Sequence, residues 1–297
     1  MADARILDRS YRSYDGTRSG VIGAMRTVTF HSMRHALGIK RRHGAKVVPV
    51  LTILLAYVPA IVFVGIVALF KSRVDTTDLL PSYPEYFGFI SAAIFIFSAF
   101  VTPELLCPDR RSGLLGMYLA SPLDRNTYLL SKAVAVAAII SLVTVGPLLL
   151  ILLSYTILGQ GPDSPLHWLI TLARIVAGGL SIAALHTSLS LAVASTTTRR
   201  AAASAVIILT LVGSTIISGV VVFGTDNSIY YELFDMLRLP FLSVTRIFGE
   251  STHSLDDPEI NRLNDLPTAL VVGVNIGWTF VFGAFVWWRY RRIAVTR

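Results

Sequence analysis

The sequence predicts an all-α integral membrane protein with six transmembrane helices. Three observations carry that reading. The 297 residues are 54% hydrophobic and only 15% charged, and the mean hydropathy of +0.64 is too apolar for a soluble domain of this size. Six apolar runs are each long enough to cross, or nearly cross, a hydrocarbon layer of about 30 Å, where a helix is favoured because it pairs its own amides. The charge is +8, and its basic residues cluster in the short segments that flank those runs rather than in a nucleic-acid-binding patch.

Residues 1–46 carry ten Lys and Arg and no apolar core of a signal peptide, so no cleavable secretory signal is expected in them. Asp3, Asp8 and Asp15 argue against a mitochondrial transit peptide. After a polar tail, Val21, Met25, Val28, Met33 and Leu37 fall loosely on one side of a helix, with His31, Arg34, Arg41 and Arg42 mostly elsewhere. This pattern predicts an amphipathic helix in the membrane interface; a plain topogenic charge cluster is the alternative.

The six-span domain occupies residues 47–297, with spans near Val47–Phe70, Phe87–Val101, Ala133–Leu158, Trp168–Ala194, Ala201–Phe223 and Thr268–Trp288. The second run is short before Thr102-Pro103, where it is expected to end, and is expected either to tilt little or to begin earlier, near Tyr83. Gly146-Pro147 and Gly178-Gly179 are expected to loosen the third and fourth spans. Trp168, Trp287, Trp288 and Tyr290 suit an interfacial aromatic belt. Six spans place both termini on one side, and that side collects 20 of the 26 Lys and Arg, against five on the other and Arg174 within a span. By the positive-inside rule both termini and the loop over residues 102–132 are expected to be cytoplasmic, in a multi-pass protein of the cell (plasma) membrane.

The loop over residues 224–267 on the opposite side is acidic and long. Tyr231, Phe234, Leu237 and Phe241 recur at helical spacing around Pro240, predicting two short external helices that lean into the outer leaflet or pack over the spans. Either arrangement forms a lid.

The loop over residues 102–132 is the most distinctive segment. Thr102-Pro103-Glu104 closes the second span, and Arg110-Arg111-Ser112-Gly113 sits at mid-loop. Leu114, Leu115, Tyr118 and Leu119 then form a short amphipathic helix that Ser121-Pro122 terminates before Lys132 opens the third span. The apolar side of that helix requires a cover: lipid, the spans or a partner protein. The stretch DRRSGLLGMYLASPLDRNTYLLSK, residues 109–132, resembles the first cytoplasmic loop of the ABC-2 type transporter permeases. There, an acidic-basic-Gly-Leu run leads to a Ser/Thr-Pro-Leu turn and a Lys at the third span. The six-span layout, the amphipathic amino-terminal segment and the long loop before the last span are similar to that family too.

The resemblance implies a transmembrane permease subunit of an ABC exporter. It would pair with a second permease subunit, identical or related, and the loop would dock as a coupling helix on a separate ATP-binding subunit that holds ATP and Mg. On this reading Glu104, Asp109, Arg110, Arg111 and Leu114 contact that subunit, and Ser121 and Pro122 fix the turn. The chain itself has no phosphate-binding loop of the G-x-x-x-x-G-K-S/T form, no cysteine/histidine cluster of zinc spacing and no evident catalytic set. It is therefore expected to bind no cofactor, metal or nucleic acid.

Within the spans, Arg174 is expected to snorkel to the interface. His186 and Asn275 are the candidates for a substrate path, each with hydrogen bonding between spans as the plainer role. Asn275 lies inside Gly273-Val274-Asn275-Ile276-Gly277, a G-x-x-x-G pattern suited to close helix packing within the chain. No charged central path is evident, which favours an apolar or amphipathic substrate. A self-contained channel or secondary carrier would require paired ionisable groups at mid-membrane or repeated spans, and a membrane-embedded enzyme would require convergent ligands or acids; neither pattern is evident.

Overall fold

A computed structural model describes residues 16, 19–39, 44–70, 81–224, 229–250 and 262–292. The first 15 residues with their three aspartates, Arg41, Arg42 and residues 225–228 and 251–261 of the acidic loop lie outside the described residues. Eleven α-helices are present among the described residues, and no strand. They are α1 (Gly20–Ala36), α2 (Gly44–Phe70), α3 (Tyr83–Phe89), α4 (Ser91–Ile96), α5 (Pro103–Arg111), α6 (Leu114–Leu119), α7 (Arg125–Ile157), α8 (Pro165–Ala194), α9 (Arg200–Gly219), α10 (Leu239–Phe248) and α11 (Thr268–Arg292). Among the described residues six stretches are long and apolar enough to cross a membrane: Lys46–Phe70, Ser91–Arg111, Arg125–Ile157, Pro165–Ala194, Arg200–Val222 and Thr268–Arg292. The chain is a multi-pass membrane protein.

The long helices α7 and α8 form the centre. They pack on each other; α7 also carries α1 and α2, and α8 carries α10 and α11. Glycines allow this closeness. A methyl group on Gly179 of α8 would stand 2.4 Å from Val145 of α7, and one on Gly146 would meet the Tyr57 hydroxyl of α2. That hydroxyl instead donates to the Leu142 carbonyl at 3.0 Å. These glycines are therefore contact points, and α7 stays helical through Pro147, rather than loosening as the sequence suggested.

The second span does not end at Thr102-Pro103. It continues to Arg111, because the chain passes through one π-helical turn, Phe97–Val101, before the proline. Pro103 has no N–H to give and its ring crowds the preceding turn. The ladder slips there, so that the Thr102 amide bonds the Phe97 carbonyl five residues back at 3.4 Å. This extension lifts Glu104, Asp109 and Arg110 off a free loop and onto a packed helix. The third span likewise begins at Arg125, eight residues ahead of its first expected residue, and only residues 112–124 connect the two.

In the acidic loop, Ile229–Phe234 forms a 3-10 turn and Pro240 starts α10 rather than breaking a helix. Leu239, Leu242, Val244 and Phe248 of α10 are buried, while Tyr230, Tyr231 and Phe234 face outward. Val244 reaches Gly178, 13 residues inside α8, so α10 is wedged between α8 and α11 instead of resting on the surface. Asp235 holds its entry by accepting from the Leu237 and Arg238 amides, each at 2.9 Å, and from Thr215 at 2.8 Å.

Candidate functional site

Both ends of the described chain meet at the basic end of the bundle. The Thr29 hydroxyl of α1 donates to the Ser131 carbonyl at 3.2 Å, and the Arg125 guanidinium donates to the Arg291 carbonyl at 2.9 Å. The buried stripe of α1 is Val28, Ser32 and Ala36, one residue per turn, so the amino-terminal helix lies against α7 by small side chains. Its exposed side carries Ile22 and Phe30, apolar groups that suit a membrane surface.

The second and third spans meet in a helical hairpin made of α5, which ends the second span, α6, and the start of α7. Gly113 joins α5 to α6 with φ of +69°, a left-handed conformation that other residues adopt at a cost of roughly 1–2 kcal/mol. At the other end Asp124 precedes α7, and its amide donates to the Thr127 hydroxyl at 2.8 Å.

Within the hairpin the candidate residues divide into an inner and an outer set. Asp109 is buried and meets Lys132 Nζ at 2.7 Å, while the Tyr128 hydroxyl donates to the same carboxylate at 2.8 Å. Lys132 also lies 5.7 Å from the ring centres of Tyr118 and Tyr128, and Tyr128 packs on Tyr290. Tyr290 thus belongs to this core and not to an interfacial belt. Burial, aided by the Asp109 charge, pushes the Tyr118 phenol up.

Arg110 turns toward the end of α8. Its guanidinium donates to the carbonyls of Ala194 at 3.5 Å, Ser195, and Thr197 at 3.2 Å. Ala194 and Ser195 close α8, so the cation sits at the negative end of a helix, where it is favoured, and Thr197 belongs to the turn that follows. The buried Cys107 thiol points to Ala194 and Thr197 as well, and Glu104 forms an ion pair with Arg200 at the start of α9. One face of α5 therefore grips the turn between the fourth and fifth spans.

The outer set is the crest. Arg111, Ser112, Gly113, Met117, Ala120, Ser121 and Pro122 are exposed, Leu114 is half-buried and Leu115 is buried in the core. Met117 is 71% exposed. Beside the crest a groove of about 330 Å3 runs between α1 and α6, bordered by Ala24, Thr27, Leu114 and Met117. The Ser121 hydroxyl donates to the Tyr118 carbonyl and closes the turn.

The mid-membrane candidates are not brought together by any contact. His186 is buried with Nδ1 3.0 Å from the carbonyl of Ile182 one turn back on its own helix, and its Nε2 has no partner among the described residues. Asn275 donates to the Ser181 hydroxyl at 2.6 Å and so ties α11 to α8. A methyl group on its neighbour Gly273 or Gly277 would meet nothing within 4 Å among the described residues, so the G-x-x-x-G edge faces outward and the internal packing expected of it is made by Asn275 instead. Arg174 is exposed and has no ion-pair partner among the described residues.

Sequence reasoning missed the internal partners: Lys132, Tyr128, Cys107 and Arg200. One signal was present, because a lysine at the mouth of an apolar helix needs a counter-charge. Among the described residues no three His, Cys, Asp or Glu side chains converge as metal ligands. Residues 64–288 match the family model of the ABC-2 family transporter proteins. No curated protein matches the chain.

Proposed function

The chain belongs to the ABC-2 family of transporter proteins, and from that premise we propose that it is the permease subunit of an ATP-driven exporter. It is a membrane transport component of an ABC transporter. The ATP that drives it is hydrolysed, with Mg, on a separate ATP-binding subunit, and a second permease subunit, identical or related, completes the path in the lipid bilayer. Both termini face the cytoplasm of the cell in the plasma membrane, in keeping with the basic charge at that end. The substrate is apolar or amphipathic.

The observation that carries this reading is the hairpin at the basic end, whose crest points away from the bundle while its base is fixed to it. Arg111, Leu114, Met117, Ser121 and Pro122 form the docking surface. Glu104, Asp109 and Arg110 act behind it by transmitting a push on the crest to the third, fourth and fifth spans through the contacts with Lys132, the 194–197 turn and Arg200. His186 and Asn275 stand near the path as groups that adjust the packing of α8 and α11.

The test is to purify the chain with its associated ATP-binding protein and measure vanadate-sensitive ATPase activity, with and without Met117→Glu. The expected result is loss of the partner and of stimulated ATPase in the variant, with an unchanged unfolding temperature. Movement of solute by the purified chain without any nucleotide would favour a self-contained carrier and overturn the proposal.

A further inference from the structure

At the basic end a cavity of about 960 Å3 opens between the first, second and fifth spans. Its wall is apolar, with Val48 and Pro49 of α2, Phe100 at the π turn and Ile208 of α9. Its mouth is cationic. Arg111 from the end of α5 stands there with Arg199 and Arg200 from the start of α9, and Glu104 is the one carboxylate among the described lining residues. Glu104 pairs with Arg200, whereas Arg111 and Arg199 have no ion-pair partner among the described residues.

The positive-inside rule accounts for cations at this end, but it does not ask them to converge over an apolar chamber. Their convergence is built. Arg110, the residue next to Arg111, bonds the turn that leads to Arg199, and the Glu104–Arg200 pair fixes the same two elements a second time. Arginine suits a phosphate because its planar fork donates two parallel hydrogen bonds. Ile208 lies eight residues beyond Arg200, about 12 Å along a helix. A cation pair above an apolar wall of that depth matches a charged headgroup and the first carbons of its chains.

We infer that this cavity is a binding site for a phosphate-bearing anionic lipid of the leaflet at the basic end. The phosphate sits between Arg111 and Arg199, and the acyl chains run along Phe100 and Ile208. The site does not depend on the transport reading, since it requires only the geometry of these three spans.

The test uses the full-length chain, purified in nonionic detergent, freed of lipid and titrated by native mass spectrometry. The probes are dioctanoyl phosphatidylglycerol, dioctanoyl phosphatidylcholine and inorganic phosphate. The expected result is saturable binding of phosphatidylglycerol that weakens at least tenfold in the Arg111→Gln, Arg199→Gln double variant. Arg291→Gln with Arg292→Gln, which removes equal charge from the same end away from the cavity, should leave it within twofold. Inorganic phosphate should compete only at concentrations at least a hundredfold higher. If the double variant does not fold, Arg199→Gln alone should weaken binding about threefold. Equal losses in the two charge-removal variants would mean general surface attraction. That result, equal binding of phosphatidylcholine, or displacement by phosphate at concentrations equal to the lipid would each overturn the site.

Discussion

Lys132 Nζ lies 2.7 Å from Asp109 Oδ2, closing an ion pair between the last turn of α5, which ends the second span, and the early turns of α7, which begins the third. The side chains are 5% and 11% exposed. A charge so buried is stable only with its partner, and losing one member of such a pair costs about 3–5 kcal/mol, whereas replacing both by apolar groups is often close to neutral. Lys132→Met should therefore lower the thermal unfolding temperature in detergent markedly, and Lys132→Met with Asp109→Leu should recover most of the loss. A single variant that unfolds with the wild type would show that the pair does not hold the hairpin.

Arg110 and Arg111 are adjacent in sequence and opposite in use. Arg110 satisfies three carbonyls at the end of α8, and hydrogen bonds to a charged group contribute about 1.5–3 kcal/mol each. Arg111 is exposed. Arg110→Gln should destabilise the chain by about 2 kcal/mol or more, while Arg111→Gln leaves the unfolding temperature unchanged and acts on binding alone. Equal melting curves for the two variants would contradict the division.

The long apolar runs were readable because length and composition alone decide whether a helix can cross a membrane, and four of the six came within four residues at both ends. The failures have physical causes. Pro103 reads as a helix end, since a proline removes a hydrogen bond, yet the π turn at Phe97–Val101 absorbs it. Gly178-Gly179 reads as a weak point, yet Gly179 is where two helices touch. The hairpin's residues were legible as a set, but their division into inner and outer members was not. Asp109 meets Lys132 only after α5, α6 and α7 have been folded against each other, and no periodicity along the chain encodes that approach.

The two kinds of glycine can be told apart by adding a methyl group. At Gly179 the new atom would lie 2.4 Å from Val145 Cγ2 and 3.1 Å from Thr144 Oγ1, and valine has little freedom to turn aside on a helix. Gly179→Ala should cost about 1–3 kcal/mol through overpacking. At Gly273 there is nothing within 4 Å, so Gly273→Ala should leave the isolated chain unchanged or raise its stability by about 0.5–1 kcal/mol, the helix preference of Ala over Gly. Unfolding temperatures in the same detergent distinguish them, and a harmless Gly179→Ala would refute the close approach of α7 and α8.

Glu232 gives the acidic-end lid a pH dependence whose sign can be derived. The side chain is fully buried, and burial raises its pKa, with Asp235 adding to the rise and Arg238, 3.2 Å away, opposing it. The folded form thus binds its proton more tightly than the unfolded one. Stability is fullest below the ordinary carboxylate pKa, falls as pH rises through the interval up to the raised value, and is level above it. Unfolding of wild type and Glu232→Gln, followed between about pH 4 and pH 7, should show a fall in the wild type that the variant lacks. Arg238→Gln, which removes the opposing charge, should steepen and prolong that fall. A wild type that gains stability relative to Glu232→Gln over the same interval would reverse the sign and show that the ion pair outweighs burial.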